Sequence, residues 1–92
     1  MGFSIEYHPL VIRDDISKLD KAIRGRIKKA IEQKLLIHPD MFGVPLRHPQ
    51  AGYRKLRIGD YRVVFKIDEQ TIYIIAIQHR SIVYTFLSKR VL

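Results

Sequence analysis

Residues 53–67 read YRKLRIGDYRVVFKI: two runs rich in β-branched and aromatic residues, 53–58 and 61–67, separated by Gly59-Asp60. A Gly-Asp pair suits a two-residue hairpin turn, because glycine takes the positive φ such a turn demands without steric cost. The turn fixes the register. Ile58 faces Tyr61, Arg57 faces Arg62, Leu56 faces Val63, Lys55 faces Val64 and Arg54 faces Phe65. Side chains alternate across a strand, so Leu56, Ile58, Tyr61, Val63 and Phe65 share a face that is expected to be core. Tyr53, Lys55, Arg57, Arg62, Val64 and Lys66 share the other. Two guanidinium groups placed directly opposite each other work against the hairpin. A choice that opposes local stability marks a candidate functional site.

Downstream, residues 71–78 (TIYIIAIQ) are apolar on both faces, which predicts an interior strand. The loop at Glu69-Gln70 sets the parity of its far end: two loop residues put His79 on the cationic face, and three put Arg80 there. Ser81 can cap a short helix over 82–87 that carries Tyr84 one turn beyond the strand. Upstream, Phe3, Ile5 and Tyr7 alternate with polar residues as in a half-buried strand, which Pro9 ends. Ile12, Ile16, Leu19, Ile23, Ile27, Ile31 and Leu35 then recur at helical spacing, and Asp20 is placed to cap the second of two helices. Their joint apolar stripe should lie on the sheet. The polar side of the second helix holds Lys21, Arg24 and Lys28, with Arg26, Lys29 and Lys34 around them, a cationic ridge that is a solvated face unless a partner covers it. After His38-Pro39, residues 39–52, with Pro45 and Pro49, are expected to form a loop. The element order is therefore β-α-α-β-β-β-α, an α+β fold.

With 92 residues the chain has room for one domain, 1–92, and no low-complexity run or linker divides it. Lys and Arg number 17 against nine Asp and Glu, a formal charge of +8, which on a small surface attracts nucleic acid or an acidic protein. There is no cysteine, hence no disulfide or thiol chemistry, and a cytoplasmic location fits. The opening MGFSIEYHPLVIRDD has neither the basic start nor the long apolar stretch of a secretory signal, and Glu6 stands where myristoylation of Gly2 would want Ser or Thr. No apolar run reaches the roughly 18 residues of a membrane span, so no membrane partner is expected.

Asp14, Asp15, Asp20, Asp40, Asp60, Asp68 and Glu69 fall in predicted helix, cap and turn positions, and no carboxylate pair converges on the cationic face for two-metal or glycosidase chemistry. His8, His38, His48 and His79 lack metal-motif spacing, and no metal or cofactor is expected. What remains is Lys55, Arg57, Arg62, Arg80 and Tyr84, with His79 and Tyr53 nearby. Arginines grip phosphate oxygens with two-pronged hydrogen bonds, a Tyr, His or Lys can move protons, and tyrosines can stack on unpaired bases. RNA brings its own nucleophile, the 2′-hydroxyl. Each residue alone has a plainer reading: Arg57, Arg62 and Lys66 as solvated strand residues, Tyr84 as a ring packed on the sheet, His48 and His79 as structural.

Over nearly its whole length, and most specifically in YRKLRIGDYRVVFKI and in IQHRSIVY (77–84), the chain resembles the RelE toxins of the RelE/ParE superfamily, the toxin halves of toxin–antitoxin pairs. The resemblance implies a mostly antiparallel four-stranded sheet with two helices packed on one face and a short C-terminal helix. It implies ribosome-dependent cleavage of mRNA in the A site by metal-independent 2′-hydroxyl attack, in the cytoplasm, and a cognate acidic antitoxin in a hetero-oligomer. Carried over, Lys55 and Arg62 hold the scissile phosphate and Arg57 is a neighbouring basic contact. Arg80 serves the leaving group or the transition state, and Tyr84 orients the nucleophile or acts as base. Tyr53, Lys66, His79, Arg24 and Lys28 are the expected further contacts to mRNA and ribosomal RNA. Where the best-known family pattern has a further lysine this chain has Tyr53, so Lys55, Tyr84 and His79 all stand as candidate bases. The same fold also allows a ParE-like inhibitor of DNA gyrase, or a catalytically silent member that acts by binding protein.

Overall fold

Gly59 takes a φ of 59° and turns the chain between β3 (Tyr53–Ile58) and β4 (Tyr61–Asp68) in a computed structural model that describes residues 3–46 and 52–90. The register matches the one the turn dictates: Ile58 pairs Tyr61, Arg57 pairs Arg62, and Lys55 pairs Val64. Leu56, Ile58, Val63 and Phe65 are buried and Tyr61 packs against them. β5 (Thr71–His79) runs antiparallel to β4, and β1 (Ser4–Tyr7) lies parallel on its other side, so β5 is interior as expected.

Among the described residues the sheet has five strands rather than four. The extra one, β2 (Val44–Pro45), pairs antiparallel with Lys55 and Arg54 within the expected loop, which makes the strand order β1-β5-β4-β3-β2. A helical turn, α2 (Pro39–Phe42), precedes it. Neither proline opposes this. Pro39 occupies the first turn of a helix, where its missing N–H costs nothing, and Pro45 sits on an edge strand. The Arg54 guanidinium secures the turn by donating to the carbonyls of Gly43 (2.9 Å) and Asp40 (3.3 Å). The rest of the expected loop, with His48 and Pro49, lies outside the described residues, as do Gly2 and the C-terminal pair Val91 and Leu92.

The β4–β5 pairing contains a bulge. Phe65 pairs Ile74, but Val64 pairs Ala76, which leaves Ile75 as the additional residue and reverses the side-chain parity of everything after it. The loop is two residues long, yet His79 does not reach the cationic face. It pairs with Tyr61 and meets that ring edge-on, centroids 5.7 Å apart, while the reversal sends Arg80 towards the cationic side. The physical gain is burial: parity after the bulge returns Ile77 to the core beside Val63, where an unbroken register would set it opposite Arg62.

On the helical side, Asp20 caps α1 (Lys21–Ala30), its carboxylate accepting from the Ile23 amide at 2.9 Å. α1 continues through a wider turn, Ile31–Leu35, and Leu19, Ile27, Ile31 and Leu35 pack on Leu56, Val63, Phe65 and Ile77. The first helical segment departs from the expected stripe. It opens with a wide turn, Val11–Asp15, in which the Ile16 amide reaches back to the Val11 carbonyl, and this rotates Val11 and Asp15 inward and leaves Ile12 60% exposed. The opposite sheet face is also covered. α3 (Val83–Arg90), longer than the expected 82–87, buries Val83 and Leu87 on Tyr53, Val64, Ile75 and Ala76. The Ser81 hydroxyl is hydrogen-bonded to the His79 ring, at 2.8 Å from Nδ1.

Candidate functional site

Three rows of the sheet build the site. Lys55, Val64 and Ala76 are neighbours across β3, β4 and β5; two residues further along lie Arg57, Arg62 and Gln78, and two further again Arg80. At the rise of a strand this sets a line of cations about 13 Å long, running from the edge of α3 to the hairpin turn. At one end the Lys55 ammonium donates to the Tyr84 phenol oxygen at 3.0 Å and sits 5.7 Å from the ring centroid. Tyr84 projects from the face of α3 adjacent to Val83 and Leu87, so docking that helix delivers the phenol to Lys55 while leaving it 46% exposed.

In the middle row, Arg62 relieves its opposition to Arg57 by folding back: its Nη1 donates to the carbonyls of Gly59 (3.0 Å) and Tyr61 (2.9 Å), while Arg57 projects into solvent. At the far end the Arg80 amide donates to the Asp60 carbonyl at 2.8 Å, which fixes its backbone to the turn. Its side chain makes only a loose, exposed contact with the Asp60 carboxylate, 4.0 Å, so little free energy opposes its turning to a ligand. Among the described residues no three His, Asp or Glu side chains gather where a metal ion could be held.

Five expected contacts stand elsewhere. Tyr53 is 5% exposed under α3, and a buried ring cannot stack on a base; Lys66 lies over it, 5.9 Å from the centroid. His79 faces the helices and not the cationic face, and its Nδ1 accepts from the Ser81 amide at 3.2 Å. Arg24 and Lys28 line an apolar groove between the helices with Tyr7, Ile12, Ile16 and Ile31, on the opposite side of the sheet from Tyr84. The cations that join the hairpin are instead Arg26 and Lys29 of α1 and Lys34 of the turn that follows it, which share a groove with Arg57 and Gly59.

A buried cluster went unread in the sequence. Arg90, in the last turn of α3, forms a two-pronged ion pair with Asp15, Nη1 to Oδ2 at 2.6 Å and Nη2 to Oδ1 at 2.8 Å. The carboxylate also accepts from the Ile77 amide (2.8 Å) and from Gln78 Nε2 (2.6 Å). β1 ends opposite Ile74, so this pair satisfies the edge of β5 that no strand covers and ties α3 to the first helical segment. Spacing held the signal: Val11, Asp15 and Leu19 recur every four residues, and Arg90 follows Val83 and Leu87 on one helix face.

Comparison with known proteins agrees with this architecture. Residues 5–84 match the family described as the ParE toxin of the type II toxin–antitoxin system parDE. The chain is 36% identical over 72 residues to Toxin RelE of Mycobacterium tuberculosis, covering 76% of this chain and 74% of that protein. Among solved structures it resembles the toxin–antitoxin complex RelBE2 from the same organism, with TM-score 0.80 and 28% identity over 87% of this chain and all of that one. It also resembles free E. coli toxin RelE in an arginine double mutant, with TM-score 0.75 and 25% identity over the whole of both chains. Fold, cationic face and relatives together define a small type II toxin. The chain belongs to the RelE/ParE superfamily, as a RelE-type member.

Proposed function

We propose that this chain is a ribosome-dependent endoribonuclease that cuts mRNA in the A site without a metal ion. The observation that carries the reading is the Lys55–Tyr84 hydrogen bond at 3.0 Å, set at one end of a line of arginines beside α3, on the sheet face that this helix covers only in part. The 2′-hydroxyl of the nucleotide before the cut attacks the adjacent phosphorus; the Tyr84 oxygen takes its proton while the phenol's own proton passes to solvent, and the Lys55 ammonium holds that oxygen in place. The bond from phosphorus to the 5′-oxygen breaks, leaving a 2′,3′-cyclic phosphate and a 5′-oxygen that takes a proton from water to become a hydroxyl. Arg62 and Arg57 neutralise the charge that accumulates on the phosphoryl oxygens, and Arg80 stabilises the departing oxygen. Because RelE relatives occur in solved complexes with RelB, the expected natural partner is an acidic antitoxin.

The test is to add antitoxin-free protein to ribosomes programmed with a defined mRNA and map the new ends. Cleavage in the A site with cyclic-phosphate ends is expected, and Tyr84→Phe and Arg80→Ala should each slow it about 10²-fold or more. Uncut mRNA would overturn the reading. The match to the ParE description favours a second one, inhibition of DNA gyrase; under it both variants stay toxic and supercoiling fails while mRNA survives.

A further inference from the structure

β2 is short and pairs only with Arg54 and Lys55, so among the described residues no strand lies beside the outer edge of β3 from Leu56 onward. A groove of ≈ 390 Å³ crosses this open edge and connects the cationic face to the helical side. Its apolar lining includes Phe42 and Val44, which are 41% and 58% exposed. Lys34, Lys55, Arg57 and Arg62 line it too, with no carboxylate among the lining residues. Lys34 rests 5.6 Å from the Phe42 ring centroid. A second groove, ≈ 250 Å³ and lined by Arg26, Lys29, Lys34 and Arg57, continues from it along α1.

An exposed ring beside four cations fits a ligand with a flat π-face and an anion a few ångströms away. An unpaired nucleotide has both. A duplex offers phosphates but keeps its bases stacked on each other, and an acidic peptide offers carboxylates that need no aromatic platform. We propose that the groove at the open edge of β3 is a subsite for one unpaired nucleotide of an RNA strand, its base stacked on Phe42 and its phosphate held between Arg57 and Lys34. The strand then leaves the cationic face around the edge of the sheet, and its next phosphates track along Lys29 and Arg26. The subsite rests on the endonuclease reading only in naming the strand as the one being cut. It supplies the stacking contact that buried Tyr53 cannot.

The chain contains no tryptophan, so Phe42→Trp places a single indole reporter in the groove. Combined with Tyr84→Phe to prevent cutting, it is titrated at low salt with a short single-stranded oligoribonucleotide, the duplex of the same sequence, and polyglutamate. The single strand should quench the indole, and the duplex and polyglutamate should not. In the same Tyr84→Phe background, Phe42→Ala should weaken single-strand binding about tenfold, and Phe42→Tyr should preserve it. Equal quenching by all three probes, quenching by polyglutamate alone, or unchanged affinity in Phe42→Ala would overturn the subsite. Stacking without ribosomal cleavage by the native chain would refute the endonuclease reading alone; cleavage without stacking would refute the subsite alone.

Discussion

A methyl group added at Gly25 meets open space, whereas one added at Gly43 runs into the Phe65 ring, with Cε1 at 2.9 Å and the Arg54 Cβ at 3.1 Å. Gly25 lies within α1, where glycine costs backbone entropy and packs nothing, so Gly25→Ala should raise stability by about 0.5–1 kcal/mol. Gly43 lets the chain pass close over a buried ring, and Gly43→Ala should lower stability by about 1–3 kcal/mol. Urea midpoints shifted in opposite directions at constant slope are the expected result. Tyr7 makes a pH prediction of definite sign. Burial, and then the nearby Glu32 carboxylate, push its phenol above the ordinary value. The folded state therefore favours the protonated ring. Its contribution is complete below the unfolded pKa of about 10 and is lost as pH rises through the raised one. Tyr7→Phe should flatten the alkaline limb of a stability–pH curve, and an unchanged limb would assign that loss to other groups. Residues such as Lys55, Arg57 and Arg62 were legible in the sequence because one tight turn fixed their parity; Tyr53 was not, because what buries it is a helix thirty residues downstream.

Elements built from local signals came out as read. The β3–β4 hairpin follows from Gly59-Asp60 and the start of α1 from Asp20, each decided within a few residues. The bulge in β5, the fifth strand and the Asp15–Arg90 pair depend on partners distant in the chain, and periodicity carries no information about those. The parity of 71–78 is the clearest case: both loop lengths considered give an unbroken ladder, and the bulge that burial of Ile77 favours belongs to neither. The ion pair yields a prediction at this scale. Arg90→Met leaves the Asp15 carboxylate buried without its cation and should cost about 3–5 kcal/mol. Combining it with Asp15→Leu removes both charges and should recover much of that loss, as replacement of a buried pair by apolar groups commonly does. Hydrogen exchange separates anchoring of α3 from general stability: in Arg90→Met, amides of α3 should lose protection ahead of those of β4. Uniform loss across the sheet would mean that the pair stabilises the whole fold without anchoring the helix selectively.

Over the whole molecule the charge of +8 is divided by the sheet, and the division determines which cations act together. One group runs beside α3 on the sheet face through Lys55, Arg62 and Arg80; a second lies along α1 and the turn that follows it through Arg26, Lys29 and Lys34; Arg57 at the edge of β3 belongs to both. Arg24 and Lys28, on the same helix, border the apolar groove on the other side. Composition gives them all equal weight, and only the fold separates them. If RNA wraps the edge of β3, each phosphate neutralised releases condensed counterions, and the logarithm of affinity falls with the logarithm of salt by about 0.7 per contact for a single strand. Replacing Arg26, Lys29 and Lys34 together by glutamine should then reduce that slope by about two, whereas replacing Arg24 and Lys28 by glutamine should leave it nearly as it was. Fluorescence anisotropy of a labelled single strand at several salt concentrations gives both slopes. Equal reductions for the two sets would mean that the chain attracts RNA by its net charge alone, with no preferred path around the sheet edge.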